Sequence, residues 1–299
     1  MSLHTAAKGD RQMERTPAPW REIAVGRIAE TVARLCIEAN ISLPEDISCA
    51  LGAAISTETS PTGREILSQL AANAALARET GLPICQDTGM AVVFLAVGQD
   101  VRLVGGDLRA AVDQGVAEGY RQGHLRASVV SDPLLRINTG DNTPAVLHIR
   151  IVPGDRVDIT VAPKGFGSEN MSAVRMLSPS EGEEGIRSFV LETMDRAGAN
   201  PCPPVVIGIG IGGTFEQVAL LAKTALLRPL GSRSPLPHIA RLEERLLTDV
   251  NRLGIGPAGY GGIVTALGLA IETAPTHIAG LPVALNMGCH ATRHAHAVL

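Results

Sequence analysis

With four Phe, two Tyr and one Trp among 299 residues, this chain has almost no large rings with which to fill an interior. Its hydrophobic fraction is nevertheless 45%, so the core must be built from Ala, Val, Ile and Leu. The length is enough for one large domain with a substantial core. The same scarcity removes the stacking platforms that single-stranded nucleic-acid binders use. A net charge of -4 gives no basic footprint for a nucleic-acid partner.

Hydrophobic periodicity places the elements. Residues 22–40 read as a helix with Ile28, Val32, Leu35 and Ala39 on one stripe and Cys36 beside it. A second helix is expected over 44–55, containing Cys49, and a third over 62–80, stopped by Gly81-Leu82-Pro83. Residues 90–97 read as a buried strand. Asp107 is placed to cap a helix carrying Leu108, Val112, Val116 and Tyr120. The alternating runs 146–152 and 156–162, joined by Pro153-Gly154-Asp155, read as a hairpin, and 164–170, KGFGSEN, as a loop. Further helices are expected over 183–198, 215–227 and 238–252, and strands over 205–211 and 281–285. Helices mixed with strands predict an α/β (mixed α+β) body over 22–299, helices packed around mixed sheets. Residues 1–21 read as a flexible lead-in without the apolar centre of a secretory signal. No apolar run reaches a membrane-spanning length, and a cytoplasmic location follows by default.

Five cysteines in such a chain do not read as a disulfide framework. Cys36 and Cys49 fall within helical apolar patterns and are expected to pack in the core. Cys85, Cys202 and Cys289 differ, because each lies in a Gly- or Pro-flanked loop: LPICQDTG, NPCPP and NMGCH. An irregular backbone can present a sulfur to a metal at close range. Three thiolates also leave one coordination position open, where a closed structural site would take four. The separations of 117 and 87 residues match no short zinc or ferredoxin signature, so spacing alone leaves plain thiols and zinc in play.

Acid–base candidates lie near these thiols. Asp87 follows Cys85 by two residues, and His277 precedes Cys289 by twelve, in a Pro- and Gly-punctuated loop. Arg126 and Lys164 are candidate anion binders, Lys164 being one of only three lysines with Lys8 and Lys223. The KGFGSEN loop would aim backbone N–H groups at a carboxylate. Asn138, Thr139, Asp141, Asn142 and Thr143 would serve either as hydroxyl-binding side chains or as turn caps. GIGIGG, residues 208–213, satisfies the dinucleotide fingerprint, but no acidic residue follows at the required distance; its glycines are expected to let backbone pack closely around a site. His290, His294 and His296 are expected in an exposed C-terminal tail rather than in a metal tract.

Taken together, LPICQDTGMAVVF, LRASVVSDPLLRINTGDNTPAVLH, PKGFGSENMS, VVIGIGIGGTFEQVALLAKTALLRPL and THIAGLPVALNMGCHATR resemble the α subunit of class I (iron–sulfur) fumarate hydratases and the similar L(+)-tartrate dehydratase α subunit. The resemblance runs from about residue 22 to 293. It implies a [4Fe–4S] cluster on Cys85, Cys202 and Cys289 whose fourth iron binds substrate. It implies dicarboxylate contacts from Gln86, Arg126 and the loop around Gly167, and proton handling by Asp87 and His277. Phe166 departs from the small residue that some relatives carry. The chain ends ten residues after Cys289, where single-chain members continue into a second domain. The resemblance therefore implies a separate β subunit carrying the catalytic base and carboxylate clamps, in an α2β2 assembly. The first expectation for the reaction is hydration of fumarate to (S)-malate; tartrate dehydration is the alternative. A cluster-binding redox-sensing subunit is the non-enzymatic alternative.

Overall fold

The computed structural model describes residues 20–299. The lead-in expected over 1–21 therefore lies outside the described residues except at its end, where Arg21 already belongs to a strand. That strand, β1 (Arg21–Ala24), pairs in parallel with β3 (Val101–Val104). It corrects the start of the first expected helix, which begins at Val25.

Three helices follow: α1 (Val25–Ile41), α2 (Glu45–Thr57) and α3 (Pro61–Thr80). The stripe Ile28, Val32, Leu35 and Ala39 is buried, as is Cys36. Cys49 is not: it is exposed on α2, because the buried face of that helix runs through Ile47, Leu51 and Ala54 instead. Ser60 caps α3 by accepting from the Gly63 N–H at 3.1 Å, and Gly81 ends it with a φ of 70°. Asp107 caps α4 (Leu108–Gln122) through the Ala110 N–H, and α4 packs on α1.

Two four-stranded sheets carry the rest. The first has the order β10-β5-β2-β4, with β2 (Met90–Gly98), β4 (Val146–Val152), β5 (Val157–Lys164) and β10 (Ala295–Val298). Here the expected hairpin is overturned. Both of its strands form, but β2 lies between them, parallel to β4 and antiparallel to β5. The physical reason is β2 itself, a continuous apolar run whose best burial is the centre of a sheet. The Pro153-Gly154-Asp155 turn wraps the end of β2, the Gly98, Gln99 and Asp100 N–H groups donating to the carbonyls of Arg156, Val152 and Gly154. The C-terminal tail is corrected too. It is paired with β5 as β10, and Ala291 and Ala295 are buried.

The second sheet has the order β6-β9-β7-β8, with β6 (Ala173–Leu177), β7 (Val205–Gly212), β8 (Ala266–Ala274) and β9 (Leu281–Gly288). Between β5 and β6, KGFGSEN is not all loop: α5 (Phe166–Glu169) is a single helical turn. Helices α6 (Gly182–Ala197) and α8 (Pro237–Arg252) pack with this sheet into an aliphatic core that includes Phe189, Ile207, Ile209 and Leu246. Helix α7 (Phe215–Ala225) crosses β7 at the GIGIGG run. A Cβ at Gly208 would strike the Ala222 carbonyl oxygen, and one at Gly210 that of Val218. The glycines thus serve close helix–sheet contact, against α7 rather than around the cysteines. Among the described residues no helix is long and apolar enough to cross a membrane.

Candidate metal centre

Sheet register brings the cysteines together. Strands β7 and β9 run antiparallel with Val206 opposite Gly288. The turn before β7, which holds Cys202, and the end of β9, which leads to Cys289, therefore share one end of the second sheet. Cys85 lies just before β2, whose first residue, Met90, pairs with Lys164 at the end of β5. The KGFGSEN turn accordingly emerges beside the Cys85 loop.

Hydrogen bonds tie the three loops to one another. His290 N–H donates to the Cys202 carbonyl at 3.3 Å. Arg293 donates from Nη2 to the Asp87 carbonyl at 2.7 Å and from Nη1 to the Ala291 carbonyl at 3.0 Å, joining the Cys85 and Cys289 loops. The Ile84 N–H donates to the Asn40 carbonyl at 2.9 Å, and Asn73 Nδ2 to the Ile84 carbonyl at 2.8 Å. Tyr120 donates its hydroxyl to the Thr88 carbonyl at 2.7 Å. Gly89 has a φ of +72°, and a Cβ there would meet the Lys164 backbone at 2.6 Å, so only glycine fits the junction. Cys202 holds a φ of 55°, an unfavourable conformation for a side-chain-bearing residue of the kind that concentrates at functional sites.

The donor set fits a cluster better than a single ion. Burial pushes the Cys202 thiol up, and the Cys289 and Cys85 sulfurs add to that rise, so the three sense one another. Burial likewise raises Cys289, with Arg293 and Lys164 acting in the opposite direction. Thiolates brought together in this way need a cationic centre to hold them ionised. Yet among the described residues no three His, Cys, Asp or Glu side chains gather tightly enough for one metal ion. Three thiols on separate loops are the kind of ligand set a cluster takes, one thiolate to each iron.

Asp87 stands beside this triad. Its Oδ1 accepts from the Gly89 N–H at 3.0 Å and its Oδ2 from the Phe166 N–H at 2.9 Å. The KGFGSEN turn thus aims a backbone N–H at a carboxylate, but at the chain's own. Gln86 lies next to Cys85, the thiol donating to its Oε1 at 3.4 Å. Arg126 is exposed, and its carbonyl accepts from Thr88 Oγ1 at 3.1 Å, which fixes its backbone near Asp87. Gly167 is exposed, with Asn200 of the Cys202 turn 3.7 Å from where its Cβ would be.

Lys164 is not an open anion binder. It is packed inside, donating to Ser168 Oγ at 2.9 Å and pairing with Glu169 at 3.3 Å. Burial lowers its pKa to about 8, with Glu169 pulling the other way. The 138–143 run is turn chemistry: Asn138 accepts from the Gly140 N–H and Asp141 from the Thr143 N–H. Asn142 reaches inward, accepting from the Ser128 N–H and donating to the Gly89 carbonyl. The tail histidines divide: His290 binds the Cys202 turn, His294 has a buried Nδ1 without a partner, and His296 faces Asp158 at 3.3 Å.

His277 is the residue that the fold does not bring to this place. It sits between β8 and β9, where the Gly213 N–H donates to the Pro275 carbonyl. That is the opposite end of β9 from Cys289, about 23 Å away along the strand at ~3.3 Å per residue. It is exposed, its ring accepting from the Ala279 N–H at 3.2 Å through Nδ1 and its carbonyl from the Gly280 N–H at 3.0 Å.

Sequence reasoning missed Arg293 and Asn40, read Tyr120 only as a core residue, and read Asn142 only as a hydroxyl binder or turn cap. Each acts through contacts with residues far away in the chain, for which no local pattern exists.

Comparison with known proteins completes the description. The fumarate hydratase (Fumerase) family matches over residues 29–298. A Methanocaldococcus jannaschii protein, provisionally named L(+)-tartrate dehydratase subunit alpha, is 44% identical over 277 residues, covering 90% of this chain and 96% of its own. L(+)-tartrate dehydratase subunit alpha from Escherichia coli strain K12 and from Shigella sonnei strain Ss046 are each 36% identical over 277 residues, covering 91% of both chains.

Proposed function

The chain belongs to the fumarate hydratase (Fumerase) family, and from that premise we propose that it is the α subunit of an iron–sulfur hydro-lyase acting on a hydroxy-dicarboxylate, with L(+)-tartrate as substrate and oxaloacetate as product. The observation that carries the reading is the meeting of the Cys85, Cys202 and Cys289 loops, tied together through His290 and Arg293, beside an oriented Asp87. The relatives' names reverse the order expected from sequence, putting tartrate ahead of fumarate. Fumarate hydration stays as the second reading, favoured by the family's description.

In this reading the three cysteines hold a [4Fe–4S] cluster, which when bound offers a Lewis-acidic iron to the substrate's hydroxyl and carboxylate. The chain's own residues do the rest of the work on this side. Two backbone N–H groups hold the Asp87 carboxyl in one orientation; in its acid form it gives its proton to the departing hydroxyl, and as the carboxylate left behind it takes a proton from water in the hydration direction. The Arg126 guanidinium, without a hydrogen-bond partner among the described residues, clamps a substrate carboxylate, which stabilises charge developing at the adjacent carbon. Gln86 and the backbone at Gly167 orient the substrate from either side. His277 joins Asp87 only when a second copy of the chain presents it, since its own copy holds it at the far end of β9. A β subunit supplies the base that removes the carbon-bound proton, in keeping with the relatives' designation as subunit alpha.

The test is to load the chain anaerobically with iron and sulfide and to follow oxaloacetate formation from L(+)-tartrate, and malate formation from fumarate, with and without the partner subunit. The expected result is turnover by the pair alone, with kcat/KM higher on tartrate. Full activity of the isolated chain, or no turnover of either acid by the loaded pair, overturns the reading.

A further inference from the structure

Among the described residues, the half-buried cations Arg228, Lys223 and Lys164 come with carboxylates, and the fully buried one does not. Arg228 pairs with Glu243 at 2.7 Å, Lys223 with Glu169 at 2.6 Å and Lys164 with Glu169 at 3.3 Å. Arg293 is 5% exposed, and among the described residues it has no ion pair. Its guanidinium donates to three neutral acceptors: Asn40 Oδ1 at 3.2 Å, the Ala291 carbonyl at 3.0 Å and the Asp87 carbonyl at 2.7 Å. The carboxylate of Asp87, whose carbonyl Arg293 binds, accepts from the Gly89 and Phe166 N–H groups instead. A buried charge left without a counter-charge is strongly unfavourable unless something outside the polypeptide compensates it.

The position of Arg293 says what that is. Its two terminal nitrogens bind the loop that follows Cys85 and the loop that follows Cys289. Three thiolates outnumber the positive charge of an oxidised cluster core, so the loaded site is net negative. We propose that Arg293 is the positioning residue and internal counter-ion of the cluster: its planar fork sets the distance between the Cys85 and Cys289 loops, and its unpaired charge is balanced by the bound group rather than by a side chain. The inference rests on the cluster reading above.

Two separable consequences follow. Positive charge near a cluster favours its more reduced, more negative state, so removing the cation lowers the midpoint potential. Removing the fork loosens two ligand loops, and outer partners of metal ligands typically control affinity by 10- to 100-fold. Lysine keeps the charge without the two-pronged geometry.

The test compares the wild-type pair of subunits with Arg293→Gln and Arg293→Lys after anaerobic loading. The readouts are the cluster's midpoint potential, by EPR-monitored titration, and the rate of iron loss to a chelator. Arg293→Gln is expected to shift the potential negative and to lose iron on the order of tenfold faster. Arg293→Lys is expected to hold a potential near the wild type while losing iron faster. An Arg293→Gln protein that melts at a lower temperature but keeps the wild-type potential and iron-loss rate makes Arg293 merely structural and overturns the inference. Should Arg293→Gln fail to fold, Arg293→Lys decides, since iron loss unchanged from wild type removes the fork. A wild-type pair that takes up no cluster overturns the cluster reading itself, an outcome distinct from either.

Discussion

The two ends of strand β9 carry the two residues that the sequence paired for proton transfer, and they could hardly be built more differently. At the Cys289 end, Asp87 is reached by two backbone N–H groups, its carbonyl by Arg293, and the surrounding loops are locked by His290, Asn40, Asn73 and Tyr120. At the Leu281 end, His277 lies in an exposed loop whose neighbour Ile278 is 92% exposed. Both had the same local signature, a titratable side chain among Pro and Gly near a cysteine in sequence. Only one belongs to a pre-organised site within this chain. A loop flanked by helix breakers marks irregular backbone, and pairing across sheets decides which irregular segments meet.

The largest effect that probes this contrast is expected from Asp87→Asn, which should lower kcat by roughly 10²- to 10⁴-fold while leaving cluster absorbance intact. His277→Ala should match it only if the histidine acts across copies. Mixing the Asp87→Asn and His277→Ala chains then restores activity, to about a quarter of wild type for random pairing into two-fold assemblies. Mixtures that stay as inactive as their parents would confine each residue to its own chain and remove His277 from the site.

A smaller change is expected at Arg126. Replacement by Met removes a charged hydrogen bond worth about 1.5–3 kcal/mol, so kcat/KM should fall roughly 10- to 150-fold, with no change in cluster content. An unchanged kcat/KM would detach Arg126 from the substrate. The smallest effect concerns stability. Lys164 has its folded pKa lowered to about 8 from an ordinary 10.5, chiefly by burial. Between those values the unfolded chain binds more protons than the folded one, so this group makes stability rise with pH across that window. Below about pH 8 its unfavourable contribution is present in full. Lys164→Met should flatten that part of the pH–stability profile, measured by thermal melting.

Much of the fold was legible because aliphatic periodicity is local. The stripe on α1, the Asp107 cap, the Gly81 stop and the apolar run of β2 all followed from neighbours within a few residues. What local pattern could not supply was pairing. Strands β4 and β5 read as a hairpin because a turn joins them, yet β2, fifty residues earlier in the chain, takes the place between them. The tail read as exposed because it is rich in histidine, yet Ala291 and Ala295 bury it against β5. Cys49 read as core because its helix is apolar, yet it lies on the outer face. At the site, the three loop cysteines and Asp87 were readable from their flanking glycines and prolines. Arg293 was not, since its partners Asn40 and Asp87 are 253 and 206 positions away.

The central claim, that Cys85, Cys202 and Cys289 hold a cluster with one iron open to substrate, is tested most directly by Mössbauer spectroscopy of the two-subunit protein loaded with 57Fe. The account predicts a [4Fe–4S] spectrum in which about one quarter of the iron signal, the share of one iron in four, shifts when L(+)-tartrate is added. It also predicts that this spectrum is absent when any of the three cysteines is replaced by serine. A spectrum that ignores the substrate, or that survives loss of Cys85, Cys202 or Cys289, would contradict it.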